Sequence, residues 1–175
     1  MWDIVVVLFN DTLRSHCCYA TSQELAAIAT QLNKLFMGEW MAPLIDDPSR
    51  SCCYVADGGE SLQSEWLASL LTKRGADGKI DTKALDLAVM GSKTADAQAK
   101  RFHDALDELA SLCEEAGVLD SSRAAKLRKF QPSCSCNDRA ANARKAARMI
   151  VGLDDGDDDP TCAEHALVNI LEEVR

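Results

Sequence analysis

Ser61-Leu62-Gln63-Ser64-Glu65-Trp66-Leu67-Ala68-Ser69-Leu70-Leu71-Thr72-Lys73 places Leu62, Trp66, Leu67, Leu70 and Leu71 three or four residues apart. That spacing gathers apolar side chains on one side of a helix and predicts an amphipathic helix over residues 61–73. The same period runs outward in both directions. Upstream, Thr21 or Ser22 can cap a helix to about Met37, with Leu25, Ile28, Ala29, Leu32, Leu35 and Phe36 inward and Gly38 as its stop. Downstream, Leu85, Ala88 and Val89 suggest a short helix over 84–90. Thr94 opens a helix to about Ala116, with the stripe Ala95, Ala99, Phe102, Leu106, Leu109 and Cys113 and with Gly117 behind it. A short basic helix over 121–130, an Ala-rich helix over 138–151 closed by Gly152, and a last helix from Pro160 or Thr161 complete the pattern.

Composition agrees with this period. Among 175 residues, hydrophobic types make up 47% and charged types 27%, the balance of a folded domain rather than of a disordered chain. Ala and Leu, which lose little on entering a helix, dominate the apolar set, and β-branched residues concentrate in Ile4-Val5-Val6-Val7-Leu8-Phe9. The expected fold is an all-α bundle of six to eight helices, with Ile4–Phe9 readable as one N-terminal strand. The alternative is an α/β fold with a small parallel sheet, using Ile4–Phe9, Cys52–Ala56, Leu85–Met90 and Met149–Val151 as strands. Residues 1–120 are read as a helical core domain, and 121–175 as a basic then acidic helical segment packed on it.

The net charge of −9 sets a repulsive field against phosphate backbones and anionic membranes. Ile4–Phe9 follows Asp3, lacks a basic flank and is too short for a secretory signal or a membrane span. The chain is therefore expected in the cytoplasm or nucleus, not secreted, with its 8 cysteines largely reduced. The doublets Cys17-Cys18 and Cys52-Cys53 sit in similar contexts, Arg14–Tyr19 and Arg50–Tyr54. No third copy makes a repeat of them.

The best chemical constellation is Cys134-Ser135-Cys136 followed by Cys162-Ala163-Glu164-His165. Two closely spaced pairs of soft ligands suit tetrahedral zinc, so Cys134, Cys136, Cys162 and His165 are the candidate metal ligands. Ala76-Asp77-Gly78-Lys79-Ile80-Asp81 resembles only the centre of a calcium loop, since Lys73, Gly75 and Ala84 stand where the first, third and twelfth positions fall. No Gly-rich phosphate loop is present, and His16 beside Cys17 and Cys18 does not make a catalytic dyad by adjacency.

Charge is segregated along the C-terminal third. Arg123, Lys126, Arg128, Lys129, Arg139, Arg144, Lys145 and Arg148 face a single acid, Asp138, whereas eight acids between Asp154 and Glu173 face only Arg175. The two blocks can neutralise each other, or the basic one can take phosphates. Binding is favoured over catalysis: an adaptor or assembly protein acting through helix–helix contacts with another protein or with itself, without membrane contact. The alternative is a zinc-stabilised nucleic-acid-binding module using 123–148.

Overall fold

The computed structural model describes residues 22–47, 51–61, 64–75, 77–137 and 140–153. The chain divides into two compact units, residues 1–33 and 34–175. In the first, the described residues are helical, and Thr30 Oγ1 donates to the Ala26 carbonyl at 2.8 Å.

The second unit is a helix-and-sheet layer pair. Its described elements begin within helix α1 (Ser22–Asp46) and continue through strands β1 (Cys52–Ser61), β2 (Ser64–Arg74) and β3 (Ile80–Met90). Helices α2 (Ala95–Glu115) and α3 (Ser121–Arg128), strand β4 (Cys134–Cys136) and helix α4 (Ala141–Val151) follow. The sheet order is β3-β2-β1-β4. The first three strands form an antiparallel meander, and β4 adds to β1 in parallel. The β2–β3 turn is closed by Gly75 N–H to the Lys79 carbonyl at 2.7 Å and by Asp77 Oδ1 accepting from Lys79 N–H at 3.1 Å. Gly78 takes φ +80°, which a side chain would resist. The residues that mimic a calcium loop are thus a hairpin turn.

One sheet face carries the core. Cys52, Tyr54, Leu71 and Leu85 point inward beneath Met37, Met41, Leu44 and Ile45 of α1 and the α2 stripe Ala99, Phe102, Leu106, Leu109 and Cys113. The α2 boundaries follow their local chemistry. Thr94 Oγ1 accepts from Ala97 N–H at the start, and beyond the C-cap the Val118 and Leu119 N–H groups close on the Cys113 carbonyl. Asp120 caps α3 through Arg123 N–H at 2.8 Å. Leu127 of α3 and Ile150 of α4 complete the cluster.

The all-α expectation is overturned. The helices expected over 61–73 and 84–90 are replaced by strands β2 (Ser64–Arg74) and β3 (Ile80–Met90) of a four-stranded mixed sheet. In β2 both faces are apolar: Leu67 and Leu71 point in, while Trp66, Ala68 and Leu70 point out. A strand apolar on both faces has no visible alternation, and its leucines fall by coincidence at helical intervals. In β3 the period is further broken by a bulge opposite Ser69/Leu70, which turns Leu85 into the core. The α/β alternative comes nearer, since Cys52–Ala56 and Leu85–Met90 lie in strands of a mixed helix-and-sheet fold, but the sheet is mainly antiparallel, residues 149–151 belong to α4, and Ile4–Phe9 lies outside the described residues. Helix α1 does not stop at Gly38. It continues through Pro43 to Asp46, burying Met37, Met41 and Leu44 while Phe36 stays half exposed.

Two polar clamps fix helices to the sheet. Trp40 Nε1 donates to Asp81 Oδ2 at 2.5 Å, and Lys73 Nζ donates to the Trp40 carbonyl at 2.8 Å while lying 4.2 Å from its ring centroid. Arg101 on α2 forks onto Asp86 of β3 at 2.6 and 2.7 Å and reaches Glu108 at 3.0 Å. The Asp86 side chain is only 11% exposed, so removing the guanidinium leaves a poorly solvated carboxylate. Arg101→Ala is expected to cost about 1–3 kcal/mol in urea unfolding, with Arg101→Lys recovering less than half because Lys lacks the fork.

Glu108 is held below the usual carboxylate range, first by the Lys34 hydrogen bond at 3.0 Å and then by Arg101. A depressed folded-state pKa adds stability that is present above the ordinary value of 4.5 and lost as pH falls through the folded value. Acid unfolding midpoints should therefore shift less with pH below 4.5 in Glu108→Gln than in the parent, measured by urea titration across that range.

Candidate functional site

The sheet face opposite the core carries exposed apolar side chains. Alternation and register assign its members: Cys53 and Val55 from β1, Trp66, Ala68, Leu70 and Thr72 from β2, Ile80, Thr82, Ala84, Leu87 and Val89 from β3, and Cys134 and Cys136 from β4. Leu87 and Val89 are 72% and 74% exposed, and Ile80 is similarly open. The Trp66 indole lies directly over Gly59, where any Cβ would collide with the ring. Glycine at that position lets the aromatic lie flat across the strand pair. Thr72 and Thr82 share a hydroxyl hydrogen bond of 2.9 Å. Charge enters this face at Asp57, exposed in the same cross-strand row as Ala68 and Leu87, and at Arg74 beside Ile80.

Three thiols gather at the β1/β4 side. The parallel register pairs Cys53 with Cys134 and Val55 with Cys136, so Cys53, Cys134 and Cys136 share the outer face. The Cys53 thiol donates to the Tyr54 carbonyl at 3.6 Å and the Cys134 thiol to the Cys52 carbonyl at 3.9 Å. Burial and then the neighbouring sulfurs, Cys134 first, push Cys53 up to about 12. Cys52 points the other way, into the core, and burial raises it to about 11. Ser133 anchors the approach to β4, donating its N–H to the Cys52 carbonyl at 2.9 Å and accepting from Cys52 N–H at 3.0 Å.

The candidate zinc ligands are therefore placed in part. Cys134 and Cys136 lie side by side on β4, whereas Cys162 and His165 lie outside the described residues. Among the described residues no group of three His, Cys, Asp or Glu side chains is spaced to hold a metal ion. Cys53, which sequence spacing did not connect to Cys134, is brought to it by the parallel strand pair. The only hint was the reading of Cys52–Ala56 as extended.

The basic residues are dispersed. Arg123 is committed to Asp46 through two bonds of 3.1 and 2.7 Å, and Arg128 to Glu114 at 3.1 Å and Ser111 at 3.3 Å. Lys126 and Lys129 flank an open groove of about 500 Å³ with Leu44, Ile45, Phe130 and Ser133. Arg144, Lys145 and Arg148 lie together along α4, and Arg139 lies outside the described residues. A cleft of about 210 Å³ near the start of α4, lined by Trp66, Lys93, Gln98 and Asn142, is smaller than the ~300 Å³ at which small-molecule sites begin. Among the described residues no helix is long and apolar enough to cross a membrane.

Compared with protein-family models and with curated proteins, the sequence finds no match.

Proposed function

We propose that the chain is a non-catalytic assembly protein of the cytoplasm or nucleus, and that its outer sheet face packs against the same face of a second copy. The observation that carries this reading is the exposed, nearly uncharged row Ile80, Leu87 and Val89 beside Trp66 and Leu70. Exposed apolar surface of this extent marks interaction sites on folded proteins. Three strands of 10 or 11 residues span a projected area on the order of 500 Å² at ordinary strand spacing. With side-chain relief, this approaches the ~800 Å² that each partner of a standard interface loses.

Charge favours a second copy. Two chains of net charge −9 repel wherever charged surfaces meet, and the outer face carries few charges, Asp57 and Arg74 being of opposite sign. A two-fold axis would bring Leu87 and Val89 of both copies into one apolar layer, in the manner of packed sheets ~10 Å apart. The α2 stripe and the Ala146 and Ala147 face of α4, which in sequence suggest helix–helix contacts with a partner, are buried in the chain's own core.

Sedimentation equilibrium tests this. The parent protein is expected at twice the 19.0 kDa chain mass at about 50 µM. Leu87→Asp with Val89→Asp should be monomeric with an unchanged far-ultraviolet spectrum. A parent that stays monomeric at about 500 µM removes the reading.

A second reading rests on Arg144 and Lys145, which are exposed and make no ion pair among the described residues. If α4 takes phosphates, binding to a 20-nucleotide RNA should weaken steeply with salt and vanish in Arg144→Glu with Arg148→Glu. Absence of binding at low salt eliminates it.

A further inference from the structure

We infer that Cys53 and Cys134 form a reversible thiol–disulfide site that staples edge strand β4 to β1. The site does not depend on the assembly reading. It stands on strand register: the two residues are direct partners across a parallel pair, with both side chains on the outer face and neither fully buried. Adjacent positions on paired strands lie within the 4.4–6.8 Å Cα separation that a disulfide spans. The Cys53 and Cys134 sulfurs donate to the β1 carbonyls of Tyr54 and Cys52, so both thiols stand at the β1/β4 seam. Other pairings are less suited. Cys52 is buried on the opposite face, and Cys134 with Cys136 would have to bridge two residues of one extended strand, near the upper limit of disulfide reach.

The oxidant is a small-molecule disulfide, RSSR. Cys134 makes the first attack as its thiolate. Its sulfur bonds to one sulfur of RSSR, the S–S bond breaks, and the leaving RS⁻ takes up the proton that Cys134 released. Cys53 then loses its proton to solvent and attacks the Cys134 sulfur of the mixed disulfide. The second RS⁻ leaves and is protonated in turn. Two protein thiols are oxidised, one RSSR becomes two RSH, and the exchange runs backward when RSH is in excess. Strand register sets Cys53 beside Cys134, so the second step is intramolecular.

The stapled strand is where a crosslink has most to hold. β4 pairs through only three residues, and the loop closed is roughly 80 residues long, in the range where crosslinks restrict the unfolded chain strongly. Oxidation is expected to raise the thermal midpoint by about 5–15 °C.

The experiment uses the full chain with oxidised and reduced glutathione at a series of ratios, quenched by alkylation and digested without reduction. It is run on the parent and on the Leu87→Asp, Val89→Asp variant, so that self-association does not enter. The expected result is a Cys53–Cys134 linked peptide within one chain, in both proteins, that disappears on addition of reduced glutathione. Cys136→Ser should keep the link and Cys134→Ser should abolish it. A link only between chains, a link that forms only in urea, or stable mixed disulfides at Cys134 that never resolve onto Cys53 would each overturn the proposal.

Discussion

Phe102→Ala is expected to lower the unfolding free energy by about 3–5 kcal/mol, a large part of the ~5–15 kcal/mol that holds a domain of this size. Phe102 is fully buried on α2 and meets Tyr54 of β1 edge-to-face, with ring centroids 5.1 Å apart and planes at 73°. Tyr54 is equally buried, and its hydroxyl lies 3.4 Å from that of Ser69. Removing the Phe102 ring therefore takes away the aromatic pair and opens a void bounded by rigid elements on both sides. Phe102→Leu should lose less than half as much, since most of the volume is retained. Urea denaturation followed by tryptophan fluorescence measures both. A loss below about 1 kcal/mol for the alanine variant would mean that α2 does not pack on β1 as described.

Gly38→Ala should also destabilise, by about 2–3 kcal/mol, although alanine is the better helix former. Within a helix interior this substitution normally gains up to ~1 kcal/mol. Here a Cβ at position 38 would collide with Sγ of Cys113, which is buried on α2. Both partners lie on helices fixed by the same core cluster, so neither backbone can yield cheaply. The sign of the effect therefore separates close helix contact from simple propensity. Cys113→Ala removes the obstructing sulfur, and the double variant should recover most of the loss through a coupling energy of at least about 1 kcal/mol. Additive effects would place Gly38 away from Cys113.

These residues show how much of the fold was legible in advance. Helix α2 could be read nearly to the residue, because Thr94, the buried stripe and Gly117 are three local signals that agree. Helices α3 and α4 were visible for similar reasons, and Gly152 adopts the left-handed cap that its position implies. The sheet was hidden by the property that makes it a candidate site. Strands with one solvated face announce themselves by alternation, whereas β2 and β3 carry Trp66, Leu70, Leu87 and Val89 on the face that in most antiparallel sheets is polar. Outward apolar residues fill the positions where polar ones would reveal the strand period. The meeting of Cys53 with Cys134 was beyond sequence reach for another reason: it depends on a parallel pairing across two helices, and no local rule sets that register. Likewise Gly38 and Pro43 are local stop signals that tertiary burial of Met41, Leu44 and Ile45 outweighs.

The place of β4 in the chain also orders events in time. The meander closes through neighbouring segments, and α2 needs only its own turns and the adjacent β3, whereas β4 can dock only after α2 and α3 have formed and returned the chain to β1. A contact so distant in sequence, made by three residues, carries a large closure cost for few hydrogen bonds. The last strand to join should be the first to leave. Amide protons of Ser135 and Cys136 should exchange with deuterium through a low-energy opening while those of Leu67–Leu71 wait for global unfolding, so that one edge of the sheet breathes within an otherwise closed molecule.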